Sequence, residues 1–317
     1  MKVTEHIAQS DGTLFSIEVL PPLKGQNIRS LFDHMDPLME FEPPFVDVTY
    51  HREEFIYKKR GNGLLERKTV RKRPGTVGIC AAIQNHYSVD AVPHIICGGF
   101  TKEETENALI DLNFLGIDNV LLIQGDTRKP EREFVPEPNG HEYASELIEQ
   151  VVNLNNGVYL DDDLENAKPS DFCIGVAGYP EKHYAAPNMD TDLKYLKNKI
   201  DTGGDYIVTQ MFFDNQAFFD FVEKCRDYGI ECPIIPGLKP ITTKRHLNIL
   251  PQLFHVNLPV ELTKELETCT TNDAAKQVGI EWAVQQSKEL IEFGVPILHF
   301  YSMGKSRSVY EVARELF

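Results

Sequence analysis

Short apolar runs that end in polar residues recur eight times along the chain, and they constrain its fold more than any other feature. They are Leu14–Val19, Phe45–Thr49, Pro93–Cys97, Asn119–Ile123, Phe172–Ala177, Tyr206–Thr209, Pro233–Pro236 and Ile297–Phe300. Each is rich in apolar or β-branched residues, as strands buried on both faces must be. Helical patterns with readable ends separate them. Thr101 followed by Glu104 has capping-box spacing, and Gly116 is placed to close that helix in a left-handed conformation. Leu193, Leu196 and Ile200 fall at i, i+3 and i+7 ahead of Gly203 and Gly204. Asp214 is placed to cap Asn215–Tyr228, which stops at Gly229. The longest helix runs from about Asn272 to Phe293 before Gly294-Val295-Pro296.

Strand, helix, Gly turn and strand again is the βαβ unit, and its repetition predicts a parallel sheet. Eight units close into an α/β fold of the (β/α)8 TIM barrel class; an open doubly wound sheet is the competing architecture. A Rossmann domain would carry Gly-x-Gly-x-x-Gly after its first strand, and none follows Leu14–Val19, which favours the barrel. No Pro/Ser/Gly-rich linker divides the chain, so one domain over residues 1–317 is expected. Two segments interrupt the pattern: a charged insertion at about 52–75 and an acidic loop at about 155–170. The basic stretch Lys58 to Arg73 reads as a solvated insertion, or else as a lid or phosphate-facing loop. Asp161-Asp162-Asp163 lacks the spacing and Gly of an EF-hand and reads as a solvated loop.

A formal charge of −16 argues against nucleic acid as the main partner, because neutralising phosphates needs a basic surface. No run approaches a membrane span, and Met1 to Gly12 has no apolar core of the signal-peptide kind, so a cytoplasmic protein is expected. The six cysteines show neither a close C-x-x-C pair nor zinc-type spacing and read as reduced thiols, several of them buried. No metal cluster and no Gly-x-Ser-x-Gly elbow is present, which disfavours hydrolases and leaves no metal expected.

In a barrel the carboxyl ends of the strands form the active site, so the polar residues there are the candidates. Glu18 is the first: a carboxyl ending a buried strand is desolvated, which favours the protonated form a general acid needs. Its bland alternative is a bridge to Lys or Arg at the barrel mouth. Asp126, after Gln124 and Gly125, can accept hydrogen bonds from a polar heterocycle, with Gly125 allowing close approach of the backbone; otherwise it forms an Asx turn. Thr49-Tyr50, His94, Tyr179 with His183, and Gln210 complete the ring. Thr49 and Gln210 could satisfy loop amides instead, and His94 could be a hydrogen-bonded core residue. Tyr179 and His183 follow a strand end kept small by Gly175-Val176-Ala177-Gly178, which suits a flat aromatic ligand. Phe212 and Phe213 read as core or loop anchors.

The chain resembles methylenetetrahydrofolate reductases. The motifs that carry this are Ser16-Ile17-Glu18-Val19-Leu20-Pro21-Pro22, Asp47-Val48-Thr49-Tyr50, Pro93-His94-Ile95-Ile96-Cys97, Gln124-Gly125-Asp126 and Tyr143-Ala144-Ser145. Further on come Gly175 to His183, Thr209-Gln210-Met211-Phe212-Phe213-Asp214, Ile234-Ile235-Pro236-Gly237 and His299-Phe300-Tyr301. Each is weak alone, and the ordered set is specific.

The resemblance implies an enzyme that uses FAD, with NADH or NADPH as co-substrate, to reduce methylenetetrahydrofolate in a ping-pong cycle serving one-carbon metabolism and methionine biosynthesis. It implies Glu18 as general acid and an FAD site of Thr49, His94, Gln124, Gly125, Asp126, Tyr143, Ala144, Tyr179, His183, Ala186, Asp192, Tyr195, Asn198 and Lys199. Lys199 would meet the FAD phosphates. Folate would meet Glu18, Asp126, Gln210, His246 and Lys305. Departures stand at Gln124, where the family often has Arg, at His246 in place of Gln, and at Lys305 near a substrate-binding Arg. A homo-oligomer with small-molecule partners is the family-level expectation, and a regulatory domain after the barrel is not expected. The rivals are a non-catalytic folate- or flavin-binding barrel and a pterin-dependent methyltransferase barrel.

Overall fold

The computed structural model describes residues 1–127, 131, 133–304 and 306–317. Its strands are β1 (Leu14–Val19), β2 (Phe45–Val48), β3 (Glu54–Lys59), β4 (Leu65–Val70), β5 (Asp90–Ile96), β6 (Asn119–Ile123), β7 (Cys173–Gly178), β8 (Tyr206–Thr209), β9 (Ile234–Ile235), β10 (Gly237–Leu238) and β11 (Ile297–Tyr301). Its helices are α1 (Val3–Gln9), α2 (Arg29–Met35), α3 (Thr76–Tyr87), α4 (Lys102–Phe114), α5 (Ala144–Asn155), α6 (Met189–Thr202), α7 (Asn215–Asp227), α8 (His246–Phe254), α9 (Val260–Thr268), α10 (Asn272–Phe293) and α11 (Ser306–Ala313).

All strands but β3 and β4 lie in one sheet of order β10-β11-β1-β2-β5-β6-β7-β8-β9, every neighbouring pair parallel. The stretch 234–238 fills a single position in this ring. Its first half pairs with β8 and its second with β11, because Pro236 between them has no N–H to donate. Counted that way the sheet is a barrel of eight positions, as the apolar runs predicted. Two contacts lace the join: His299 N–H donates to the Pro236 carbonyl at 3.1 Å, and Gly237 N–H donates to Thr209 Oγ1 at 3.0 Å.

Alternation along the strands sorts side chains to the two faces. Phe15, Ile17 and Val19 of β1 and Val46 and Val48 of β2 join the outer core, to which the helices contribute Leu109, Leu147, Leu193 and Phe218. Phe45, Val92, Leu121, Cys173, Tyr206, Val208, Ile235 and Ile297 form the inner core. Val3 of α1 belongs to that inner cluster and donates its N–H to Asn119 Oδ1 at 2.9 Å, so α1 plugs the amino end of the barrel.

The helix ends follow local chemistry. Thr101 and Glu104 exchange both capping-box bonds, and Gly116 takes φ +69°. Asp214 accepts from Gln216 N–H at the start of α7, and α10 ends on Gly294 at φ +89°. Gly279 in α10 lies against the backbone of Ile241, whose carbonyl oxygen would be 2.0 Å from a Cβ placed there.

Some features differ from the sequence reading. Pro93 sits within β5 rather than starting it, because Ala91 and Val92 are already buried in the sheet. The segment read as a solvated insertion contains an antiparallel hairpin, β3 with β4, turning at Gly61-Asn62-Gly63. Its charged strands hid an alternation that places Phe55 under the Arg67 guanidinium, 4.5 Å from the ring centroid. Helices α1, α2, α3, α5, α8, α9 and α11 have no counterpart among the helical patterns read from the sequence. Asp161, Asp162 and Asp163 are exposed, and Phe212 and Phe213 are buried. Five of the six cysteines are buried and all are free thiols. Among the described residues no helix is long and apolar enough to cross a membrane.

Candidate active site

The carboxyl ends of the strands gather the candidates in the order the ring dictates. Glu18 lies near the end of β1 and faces inward, its side chain 14% exposed. On the next strand Asp47 is its register partner, also inward and 0% exposed. From β5 comes His94, whose Nε2 is 3.7 Å from Glu18 Oε2 and 3.4 Å from Asp47 Oδ2. Burial works against a charged ring here, but the Asp47 hydrogen bond and the Glu18 carboxylate outweigh it and raise the His94 pKa above the ordinary imidazole value. Among the described residues, the group paired with Glu18 is His94 rather than a Lys or Arg at the mouth. His94 is buried and hydrogen-bonded, as its bland reading had it, yet it also touches the proposed acid.

Beneath this group, Ser16 Oγ and His299 Nδ1 are 2.8 Å apart, and burial lowers the His299 pKa and keeps that ring neutral. Asp47 Oδ1, His94 Nδ1, His299 Nε2 and the Tyr206 hydroxyl are buried without a hydrogen-bond partner. The barrel centre is thus polar directly under its mouth.

Thr49, just beyond β2, donates Oγ1 to the Val19 carbonyl at 3.3 Å. After β6, Gln124 Nε2 donates to the Glu142 carbonyl at 2.8 Å, which ties that strand end to the approach to α5. Gly125 has φ +85° and a Cβ there would press on Ile96 at 3.1 Å, so this turn needs glycine. Asp126 follows it, exposed at the mouth, close enough to influence His51 and Tyr179. Tyr143 caps α5 and is 55% exposed; Ala144 is the first residue of that helix.

After β7 the Tyr179 and His183 rings meet edge-on, with centroids 4.6 Å apart. Burial depresses the His183 pKa, and its Nδ1 accepts from Ala185 N–H, so the neutral ring carries its proton on Nε2. Asp192 on α6 accepts from the His183 N–H at 2.8 Å, and Ala186 is buried between them in sequence. Tyr195 and Lys199 share the face of α6 that carries Asp192, while Asn198 is exposed. Lys199 Nζ turns inward to the Ala177 carbonyl at 2.5 Å, and burial lowers its pKa to about 8.

Gln210 follows β8, its backbone N–H bonded to the Gly178 carbonyl and its Oε1 to the Met211 N–H. His246 begins α8 and lines a cavity of about 190 Å³ together with Lys239, Tyr301, Ser302 and Ser308. Lys305 lies outside the described residues.

The structure thus brings Glu18, Thr49, His94 and Asp126 to one mouth, with Tyr179 and His183 on the β7 side and His246 on the far side. Sequence reading missed Asp47, Ser16, His299 and Tyr301 as site residues. Each sits two residues from a strand position already singled out, or at a strand end, so the two-residue period was the available signal.

The hairpin also reaches the mouth. Arg71 Nη2 donates to the Tyr50 hydroxyl at 3.2 Å, and Arg73 donates to the Pro21 carbonyl. Arg52, 8% exposed, pairs with Glu131 at 3.3 Å.

Comparison with known proteins places this geometry. A solved structure described as an uncharacterized protein from Clostridium thermocellum that binds two copies of 5-methyl-5,6,7,8-tetrahydrofolic acid superposes with a TM-score of 0.61, over 99% of this chain and 96% of that one, at 14% identity. That likeness supports the barrel. The chain is 32% identical to methylenetetrahydrofolate reductase (NADH) 1 of Arabidopsis thaliana over its full length, and it spans about half (51%) of that relative. It is 26% identical to the Escherichia coli 5,10-methylenetetrahydrofolate reductase over 99% of this chain and 94% of that one. The methylenetetrahydrofolate reductase family model matches residues 2–316, and the chain belongs to that family.

Proposed function

We propose that this chain reduces methylenetetrahydrofolate to methyltetrahydrofolate in a ping-pong cycle, with NADH or NADPH as electron donor and FAD as resident cofactor. The observation that carries the reading is Glu18, inward and nearly buried at the barrel mouth beside His94, in a chain of this family. The residues around β6 and β7 suit a flavin dinucleotide. Gly125 offers backbone without a side chain, Tyr179 and His183 offer an aromatic wall, and Tyr143 and Tyr195 are exposed aromatics for a second ring system. FAD held there would supply hydride transfer from the nicotinamide to the folate, chemistry that belongs to the cofactor.

The chain's contribution is binding, orientation and proton transfer. The methylene carbon of the closed five-membered ring is a poor electrophile. Glu18 donates its proton to the ring nitrogen attached to the aminobenzoyl group, and the ring opens to an iminium whose carbon accepts hydride. Asp126 accepts hydrogen bonds from the pterin and places negative charge where positive charge develops, which lowers the barrier. Gln210 and His246 are assigned to the folate, as is Lys305. The same reading carries a cytoplasmic setting, small-molecule partners and a homo-oligomer.

The test is a visible spectrum of the purified protein, followed by anaerobic addition of NADH or NADPH and then of methylenetetrahydrofolate. A flavin band bleached by the nicotinamide and restored by the folate is expected. A colourless protein that FAD cannot reconstitute would leave a folate-binding or methyltransferase barrel; a yellow one that folate does not reoxidise would leave a flavin-binding barrel.

A second expectation concerns His183→Ala. Losing the ring that packs on Tyr179 removes about 0.5–1.5 kcal/mol of aromatic contact. The Kd for FAD should rise roughly three- to tenfold, read by fluorescence titration of the apoprotein. Unchanged affinity would remove His183 from the site.

A further inference from the structure

The parallel register of β1 and β2 sets two carboxylates, Glu18 and Asp47, side by side on the inner face of the barrel. Neighbouring strands are about 4.8 Å apart, so the two charges would repel strongly in this water-poor setting. A single ring answers both: His94 Nε2 lies 3.4 Å from one and 3.7 Å from the other. Asp47 is 0% exposed, and one of its oxygens has no hydrogen-bond partner. A buried carboxylate is costly to keep, and an apolar residue of that size would pack there at less cost. Its presence needs a reason other than stability.

We infer that Asp47 is a positioning residue that acts through His94: it anchors the ring as an imidazolium and cancels its charge, so that Glu18 retains the proton it must donate. The inference rests on the proposed reaction for the role of Glu18, but not for the state of His94. Without Asp47, an imidazolium beside Glu18 would have only Glu18 as partner and would hold it as a carboxylate, unable to act as an acid. With Asp47 in place, the Asp47–His94 pair is neutral as a unit, and Glu18 faces no net positive charge. The three groups exchange protons as one cluster.

The other ionisable groups that face the cluster do not compete. Burial lowers the pKa of His299 on β11 and of His51 after β2, favouring neutral rings. Burial also raises Tyr301, Tyr206 and Cys80 well above their ordinary values, so all three stay protonated. Among the described residues, Glu18 and Asp47 are the carboxylates that face His94.

The test has two arms. In the first, long-range 1H–15N spectra of the ligand-free protein follow His94 as pH rises. The ring should keep both protons above pH 6.5, the ordinary imidazole midpoint, and should lose one at lower pH in Asp47→Asn. A His94 that titrates at or below the ordinary value in the parent protein overturns the inference, whatever the enzyme does. In the second arm, Asp47→Asn removes one negative charge and loosens the cluster's hold on protons. The alkaline limb of the folate half-reaction should move down by about one pH unit. The folate half-reaction should also fall about tenfold further than the nicotinamide half-reaction. An equal fall in both, with no displaced limb, would mean that Asp47 serves only the fold. Absence of any folate reduction in the parent protein would instead refute the proposed function and leave the first arm to decide on Asp47.

Discussion

Glu18→Gln is expected to yield a yellow protein that NADH or NADPH still reduces but that reoxidises with methylenetetrahydrofolate at least about a hundredfold more slowly, within the usual range for losing a general acid. Gln keeps the size of Glu and His94 keeps its hydrogen bond to Asp47, so the barrel mouth should keep its shape. What it cannot do is release a proton. The nicotinamide step needs none from this residue, which makes the contrast between the two half-reactions the decisive reading in rapid-mixing experiments. Parental folate reduction in this variant would remove Glu18 from the acid's role. A collapse of both half-reactions would point to damaged flavin binding instead.

Gly279→Ala should destabilise the protein by about 3 kcal/mol, at the upper end for forcing an extra carbon into a packed interior. Helix propensity alone gives the opposite sign, since Ala in place of Gly in a helix interior gains roughly 1 kcal/mol. Space decides. A Cβ at Gly279 would lie 2.0 Å from the Ile241 carbonyl oxygen and under 3 Å from two more backbone atoms of that residue. Backbone cannot swing aside as a side chain can, so α10 would have to shift away from the segment after β10. The urea midpoint should fall with little change in the slope of the transition. A variant as stable as the parent would show that α10 and Ile241 move apart freely.

Most of the barrel was legible because buried parallel strands are written as contiguous apolar runs, and helices announce their ends with Asp, Thr and Gly. The run at 14–19 became β1 and that at 119–123 became β6, residue for residue. The hairpin was not legible, since apolar alternation between charged neighbours is faint when neither face is covered. Short helices α8 and α9 escaped because Pro251 inside the first and Pro259 at the cap of the second read as breaks. At the site, residues at the strand ends stood out because chemistry interrupts an apolar run there. Asp47 did not: it lies inside a run, between Val46 and Val48, and although the period from Thr49 puts it on the inner face, the register sets it beside Glu18. A pairing between strands 29 residues apart is not written in either segment alone.

Pro236 gives this ring of strands a stiff side and a slack one. Glu18 and its two neighbours stand on well-laced strands, β1 meeting β11 over five register pairs and β2 meeting β5 over four. Beyond β11, the stretch 234–238 is held to each neighbour by only two pairs. Openings of small free energy belong where few backbone bonds must break. Breathing of the mouth therefore falls to the wall beside Gln210 and His246, and a bulky guest can be admitted there without disturbing the distances that govern the acid.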